Sequence, residues 1–126
     1  MLLFKKEERF VLDSSCIIDG RIVILFEKKF FEGKVIIPYL VRIIVRRKIG
    51  TEAEKIINNL KKFANIEFVD KNVDGVVEEE CVLKTAERRK AKVITASDSY
   101  EFYIKSFPQL RIIYIKELYR ILKTKF

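Results

Sequence analysis

Apolar residues follow two spacings along the chain, and each spacing predicts a different kind of element. Compact apolar runs bounded by polar residues predict buried strands. Such runs lie at residues 10–12, 34–37, 66–69, 93–95 and 111–115. Between them the apolar positions recur every three or four residues, which predicts helices with one buried face. The expected helices run from Asp19 to a stop at Gly33, then at 39–45, 51–63, 74–89 and 98–107, with a terminal helix around Leu118.

Two of these helices depend on local signals. The stretch 39–45 is apolar throughout and fits a helix or a strand by its period alone, and we assign it to a helix. Thr51 followed by Glu54 has the form of a capping box, a hydroxyl cap with an acid three residues later. This pattern predicts that Thr51 caps the third helix.

Alternating strands and helices predict a parallel sheet, because parallel neighbours must be joined by a crossover. We therefore expect one α/β domain over residues 1–126, a three-layer sandwich with a mostly parallel central sheet flanked by helices. Ligands of open parallel sheets collect at the carboxyl ends of the strands. Asp13 directly follows the first strand and Asp98 lies just beyond the fourth, so both acids are expected at that edge.

Composition narrows the chemistry. Lys and Arg number 26 against 18 Asp and Glu, a formal net charge of +8, which favours polyanionic partners such as nucleic acid. The Lys-, Glu- and Ile-rich composition is also typical of a thermophile. The sequence contains no His, which excludes mechanisms and zinc sites that need an imidazole. Cys16 and Cys81 are far apart in sequence and predict buried thiols rather than a disulfide or a zinc ribbon.

The chain carries no signal for membrane insertion. Charged residues at positions 5–9 interrupt any hydrophobic signal region. No apolar run approaches the ~20 residues that a transmembrane helix requires. We therefore expect a cytoplasmic protein.

Four segments, taken in order, resemble motifs of PIN domains. The first is residues 11–21, Val-Leu-Asp-Ser-Ser-Cys-Ile-Ile-Asp-Gly-Arg, which is similar to the opening motif of that family. The second segment is the strand and proline at 35–38. The third is residues 47–52, which look like the start of the third helix in the PIN modules of archaeal PilT-type ATPases. The fourth is a helix from Glu79 followed by residues 93–98. The resemblance covers most of the chain and implies a PIN-like fold.

The same resemblance implies a ribonuclease that depends on Mg²⁺ or Mn²⁺. The acids that match the family's positions are Asp13, Asp19, Glu79 and Asp98 as metal ligands, with Asp13, Glu79 and Asp98 as the catalytic set. Crowded carboxylates raise one another's pKa, so such a cluster is tolerable mainly when a cation neutralises it. Hard oxygen ligands suit Mg²⁺ and Mn²⁺, and these ions can promote phosphodiester hydrolysis without a histidine.

Three of these acids also have a purely structural explanation. Asp13 fits a cap for the turn after the first strand, and Asp19 fits a cap for the helix after it. Asp98 begins a second capping pattern with Glu101. These alternatives stay open in the sequence.

Glu79 is assigned to the site by its position on a helix. It shares a helical face with Val82 and Ala86, which directs it toward the core. Glu78 and Glu80 are expected to project elsewhere and to be solvated. The sequence therefore selects Glu79 from three consecutive acids.

Hydroxyl and basic residues near the acids provide a candidate nucleic-acid surface. The predicted contacts are Ser14, Arg46, Arg47, Lys48, Thr95 and Ser97. The basic run also fits a solvated helix end, and the hydroxyls also fit turn or capping roles. The aromatic residues within 100–103 could stack on bases, but aromatic residues at helical spacing are more often core.

Three departures from the PIN pattern bear on catalysis. Ile43 and Ile44 stand where the family usually has a Glu. Glu79 replaces an Asp, and one inserted residue places Ser97 rather than Asp98 at the expected offset. The sequence therefore leaves two functions open: a ribonuclease, and a catalytically degenerate module that binds RNA or assembles proteins. A phosphoryl-accepting domain is disfavoured, because the chain lacks a suitable Lys at a strand end and paired acids.

RNA is the expected partner of the ribonuclease and of the RNA-binding alternative. The apolar stretch 39–45 fits either the core or a homodimer seam, and the sequence does not choose between them. The PIN resemblance also allows an inhibitory or scaffold protein partner.

Overall fold

Five parallel strands form one sheet in the computed structural model, which describes residues 7–70 and 77–123. The strands are β1 (Arg9–Leu12), β2 (Lys34–Pro38), β3 (Asn65–Val69), β4 (Lys92–Thr95) and β5 (Ile112–Tyr114). They are hydrogen bonded in the order β3-β2-β1-β4-β5, and every neighbouring pair is parallel. The predicted parallel α/β sheet is confirmed, and β1 lies at its centre.

Helices connect these strands and cover the sheet. In the described residues they are α1 (Ser14–Asp19), α2 (Arg21–Glu27), α3 (Tyr39–Ile49), α4 (Glu52–Lys61), α5 (Glu78–Arg89) and α6 (Ile115–Lys123). Val11 and Leu12 point to opposite faces of the sheet, and both are fully buried. Both faces of β1 are therefore covered, as a three-layer sandwich requires.

The helical segment after β1 differs from the prediction of one helix between Asp19 and Gly33. The first helix begins earlier, because Asp13 caps it directly after β1. Gly20, in the left-handed region at φ +84°, then separates α1 from α2. α2 ends at Glu27, so the predicted last turns are not helical.

The turn that leads into β2 passes very close to the start of β1. A Cβ atom at Gly33 would lie 2.3 Å from the carbonyl oxygen of Glu8, and φ at this glycine is +147°. The N–H of Lys34 donates a hydrogen bond to the same oxygen at 2.8 Å. Only glycine fits this approach, which aligns β2 with β1.

The two helices between β2 and β3 form where the sequence predicts them. α3 confirms the helix assigned to residues 39–45 and extends it to Ile49. α4 lies within the predicted range, but Thr51 has a helical backbone and makes no side-chain capping bond, so the capping box is wrong. Glu54 instead forms an ion pair with Arg46 at the end of α3.

The second half of the chain contains one further error. Residues 98–107 form turns and a short 3₁₀ turn at Ile104–Ser106, and the predicted α-helix is absent there. α5 begins at Glu78. The predicted start of this helix at Asp74 and Gly75 lies outside the described residues.

The core is built around the central strands. Phe10, Phe26 and Phe31 pack ring against ring with centroids 5.3, 5.7 and 5.8 Å apart, which fixes α2 against β1. Cys16 and Cys81 are buried, as predicted. None of the helices in the described ranges is long and apolar enough to cross a membrane.

Candidate functional site

Asp13 occupies the carboxyl end of the central strand and caps the helix that follows. Its backbone is extended, at φ −96° and ψ 176°, so the side chain turns back over the first turn of α1. Oδ1 accepts hydrogen bonds from the N–H of Cys16 at 2.9 Å and from the hydroxyl of Ser15 at 2.8 Å. The cap therefore uses one carboxylate oxygen completely, because each oxygen has two acceptor positions.

The second oxygen of Asp13 is bound by residues that are distant in sequence. Thr95, the last residue of the neighbouring strand β4, donates its hydroxyl to Oδ2. Tyr100 donates its phenolic hydroxyl to the same oxygen at 3.0 Å. Asp13 is only 1% exposed, and Tyr100 is equally buried. Four protein donors thus surround a buried carboxylate, two on each oxygen.

Glu78 is the acid that joins this pocket from α5. Its carboxylate accepts two hydrogen bonds from Ser14, one from the N–H at 2.8 Å and one from the hydroxyl at 2.9 Å. The expectation that Glu78 is solvated is therefore wrong. Glu79, one position further along the helix, is half-buried. Both acids lie one turn before Val82, at four and three residues, so the helical spacing alone does not choose between them.

We name these residues the Asp13 pocket: Asp13, Ser14, Ser15, Glu78, Thr95 and Tyr100. Burial raises the pKa of the Asp13 carboxyl, and its hydrogen bonds only partly oppose this. Burial also raises the pKa of Glu78, where the charges of Asp13 and Glu79 add to the effect. The pKa of Tyr100 is raised by burial and by the neighbouring Asp13 charge, so the phenol stays protonated and donates.

The other two predicted acids lie elsewhere. Asp19 ends α1 and forms a two-point ion pair with Arg21, with both N···O distances at 2.7 Å, and Arg21 lowers its pKa. Asp98 is exposed and lines a hollow of about 270 Å³ with Glu101, Tyr114 and Thr95, the residue that also donates to Asp13. Neither acid is hydrogen bonded to the Asp13 pocket in the described part of the chain. Through Ser14 the structure therefore joins Glu78 to the turn at Asp13, whereas Asp19 lies outside the pocket and Asp98 lies in a hollow that shares Thr95 with it.

The predicted nucleic-acid contacts do not all lie together in the structure. Ser14 and Thr95 are buried and hydrogen bonded inside the Asp13 pocket. The N–H of Ser97 donates to the Thr95 hydroxyl, and the Ser97 side chain bonds Ser99 in the following turn. The hydroxyls of Ser14 and Thr95 therefore point away from solvent.

The basic residues of α3 line a groove between α3, α4 and the end of β3. This basic groove has a volume of about 510 Å³, and its main walls are Tyr39, Arg42, Arg46, Arg47, Lys61 and Phe68. Tyr39 follows the last residue of β2, and Phe68 lies next to the end of β3. Tyr39 and Phe68 thus bring one end of the groove to the carboxyl edge that also carries Asp13. Lys48 is exposed on the last turn of α3, outside the walls of the groove.

Sequence reasoning missed Tyr100 and Glu78 in the pocket and two aromatic residues in the groove. Tyr100 gives no local signal, because its partner Asp13 lies 87 positions away. The four-residue spacing of Glu78 to Val82 made it as good a candidate as Glu79, but this spacing could not select it. Tyr39 and Phe68 were detectable as aromatic residues at the ends of predicted strands, where the side chains of neighbouring strands meet.

Comparison with known proteins finds solved structures that resemble this one. No protein-family model and no curated protein matches the sequence. The structure resembles a domain of a functionally unknown protein from Methanocaldococcus jannaschii, with a TM-score of 0.63, 19% identity, and coverage of 85% of this chain and 90% of that one. It also resembles a PilT N-terminus domain protein from Sulfolobus solfataricus, with a TM-score of 0.59, 16% identity, and coverage of 87% and 89%.

These likenesses show that the chain has the α/β fold of a PilT N-terminus domain, which is a PIN-like fold. The fold that the motif at residues 11–21 predicts is therefore confirmed. Identities of 19% and 16% show the fold alone. What the fold does in this chain depends on its own residues.

The Asp13 pocket does not fit a divalent cation as it stands. All acceptor positions of Asp13 are used by protein donors, and Glu78 is held by Ser14. Within residues 7–70 and 77–123, no group of three or more carboxylates or thiolates is arranged to hold a metal ion. Mg²⁺ requires carboxylate oxygens that are free to face it, together with room for water. An ion could bind Asp13 only if one of its buried donors, such as Tyr100, left it.

Proposed function

We propose that this chain is a PIN-fold module that binds single-stranded RNA, and that its Asp13 pocket stabilises the fold instead of cleaving the RNA. One observation carries the proposal: both oxygens of Asp13 are saturated by four protein donors. An ionised carboxylate has about four acceptor positions. Asp13 therefore has no position left with which to bind a metal ion or a water molecule.

The residues that differ from the PIN pattern support the same function. Ile43 and Ile44 stand where the family usually has a Glu, and Ile43 lines the basic groove. Ser97 occupies the expected offset of an acid and instead bonds its neighbours in the turn. Two of the family's acidic positions thus carry residues without a carboxylate.

Charge supports RNA as the partner. The net charge of +8 attracts a polyanion and releases its counterions on binding. Four of the cations line one groove, and one end of this groove lies at the carboxyl edge of the sheet. The same edge is where open parallel sheets hold their ligands.

A metal-dependent ribonuclease is the second candidate, and one observation favours it. The hydroxyl and N–H of Ser14 link Glu78 to the turn at Asp13, and the charge of Glu79 reaches both Glu78 and Tyr100. Three acids are therefore near one another. This candidate uses Asp13, Glu79 and Asp98 as predicted and requires Tyr100 to leave Asp13, together with a movement of Asp98.

One experiment separates the two functions. A labelled single-stranded RNA is incubated with the protein in EDTA and in Mn²⁺, over a range of NaCl concentrations, and both binding and cleavage are measured. We expect binding that weakens with salt, is equal in EDTA and Mn²⁺, and leaves the RNA intact. The Asp13→Asn variant is the control for cleavage.

Two results would contradict the proposal. Cleavage in Mn²⁺ that disappears in Asp13→Asn would establish the ribonuclease. Absence of RNA binding at low salt would exclude both functions and leave protein assembly as the role of the fold.

A further inference from the structure

On the basis of the proposed RNA binding, we infer that the basic groove is the RNA site, with Tyr39 stacking on one base and Arg47 and Lys61 binding phosphates. The groove is a concave surface of about 510 Å³ between α3, α4 and the end of β3. Ligand sites of this kind occupy roughly 300–1,000 Å³. None of its lining residues belongs to the Asp13 pocket, so the proposed binding is separate from those acids.

The charges of the groove fit a polyanion. Four cations line it, against one carboxylate, Glu54, which is already paired with Arg46. In the described part of the chain, Arg47 and Lys61 have no carboxylate within salt-bridge distance. Two basic side chains are thus available for phosphates without first breaking an ion pair.

Phe68 holds two cations in place on the floor of the groove. The guanidinium of Arg42 lies over its ring at 4.2 Å from the centroid, and the ammonium of Lys61 lies at 5.4 Å. Such cation–π contacts orient the two side chains. A guanidinium plane fixed on an aromatic ring can bind a phosphate at its edge or extend a stack of bases.

Tyr39 supplies the surface on which a base can stack. It is the first residue of α3, and 44% of it is exposed although it is a large aromatic side chain. Stacking of a base on such a ring is sequence-tolerant, because every base has an aromatic face. The amide of Asn58, which also lines the groove, can bond a base edge. Aromatic and basic side chains in one groove favour single-stranded RNA over an acidic protein, which offers no bases.

The test measures the affinity of a labelled oligouridine by fluorescence polarisation at several salt concentrations. Tyr39→Leu should weaken binding roughly tenfold or more, because base stacking is lost. Tyr39→Phe keeps the ring and should bind as the wild type does. The double variant Arg47→Gln with Lys61→Gln should reduce the slope of log affinity against log salt by about 0.7 per phosphate contact removed.

Arg111→Gln is the matched control. Arg111 is exposed, carries the same charge, and directly precedes β5 at the opposite edge of the sheet from β3. We expect its affinity to stay within about twofold of the wild type, because distant exposed charges are largely screened. Far-UV circular dichroism of each variant checks that the fold is retained.

The outcomes distinguish this inference from the proposed function. If the wild type binds RNA but Tyr39→Leu, Tyr39→Phe and Arg111→Gln bind equally well, the groove is not the site and RNA binding stands. If polyglutamate competes as well as RNA at equal charge, the groove binds acidic chains in general and the inference is wrong. If the wild type does not bind RNA, both fall together.

Discussion

The hydroxyl of Tyr100 donates a hydrogen bond to Oδ2 of Asp13 at 3.0 Å, although the two residues are 87 positions apart. This bond ties the turns after β4 to the end of the central strand. Both residues are at most 1% exposed, so water cannot replace either partner when the other is removed. The contact also occupies the acceptor position that would otherwise be free to face a ligand.

Tyr100→Phe should therefore destabilise the protein. Loss of a hydrogen bond to a buried carboxylate costs about 1.5–3 kcal/mol of the free energy of unfolding. Urea unfolding followed by circular dichroism measures it. Tyr39→Phe, which removes a hydroxyl from an exposed ring, should change stability by less than about 0.5 kcal/mol. Equal effects of the two substitutions would show that the Tyr100 bond contributes nothing.

Replacement of Asp13 tests the same pocket from its centre. Asp13→Ala leaves the N–H of Cys16 and three hydroxyls without their acceptor, so we expect a loss of at least about 3 kcal/mol in urea unfolding. Asp13→Asn keeps one carbonyl oxygen for Cys16, and its amide can donate to the hydroxyl of Tyr100. It should cost roughly 1 kcal/mol.

The Asp13→Asn comparison also has a pH dependence of definite sign. The folded pKa of Asp13 is raised above its unfolded value of about 3.9, mainly by burial. The contribution of Asp13 to the free energy of unfolding is therefore fully present below its unfolded pKa. This contribution is lost as pH rises through its folded pKa. The wild-type advantage over Asp13→Asn should shrink as pH rises from about 4. An advantage that grows with pH would contradict the raised pKa.

Glu78 and Glu79 provide a test of which acid belongs to the pocket. Glu78→Ala removes the acceptor to which the N–H of the buried Ser14 donates, and we expect a loss of about 1–3 kcal/mol. Glu79→Ala removes an acid from the first turn of α5 and should cost under about 1 kcal/mol. Urea unfolding of both variants measures the two losses and shows which acid belongs to the pocket. A larger loss for Glu79→Ala would reverse the assignment.

Glu67 gives a pH prediction outside the pocket. Hydrogen bonds from Arg89 and Lys34 lower its pKa to about 2. This stabilisation is present above the unfolded pKa of about 4.3 and is lost as pH falls through about 2. Glu67→Gln should therefore lower the thermal midpoint at pH 7 and match the wild type near pH 2. The exposed pair of Glu117 with Arg120 is a control, and Glu117→Gln should have little effect at either pH.

Millimolar Mn²⁺ should leave the thermal midpoint of the wild type unchanged. An ion that binds only the folded state raises the midpoint in proportion to the logarithm of its concentration over its Kd. The saturated Asp13 gives no such site in the described structure. Ca²⁺ at the same ionic strength is the control for screening. A rise with Mn²⁺ that is absent in Asp13→Asn would show that the pocket opens to metal.

The strands were predictable because each one is a compact apolar run, and such a run is the direct result of a strand being buried. Predicted and observed strands agree to within a residue or two, and Asp13 and Thr95 end neighbouring strands as the parallel order requires. Local capping patterns were less reliable. Thr51 makes no capping bond, although the pattern with Glu54 is present.

The error at residues 98–107 has a tertiary cause. Asp98 and Glu101 have the spacing of a helix start. However, Tyr100 between them donates a hydrogen bond to Asp13, and the hydroxyls of Ser97 and Ser99 are hydrogen bonded to each other. These contacts hold the segment in turns. Hydrogen bonds between residues so distant in sequence leave no periodic trace, so the pocket could not be predicted completely.

The order of the strands implies that the basic groove and the Asp13 pocket form at different stages of folding. The basic groove is built from residues between 39 and 68, and β2 and β3, the strands at the two ends of this stretch, pair directly. Asp13 meets Thr95 only after the chain closes a loop of 82 positions, and long closures form late because their entropy is lost before contacts compensate. A half-assembled chain should therefore already carry the cationic surface while its central carboxylate still faces water.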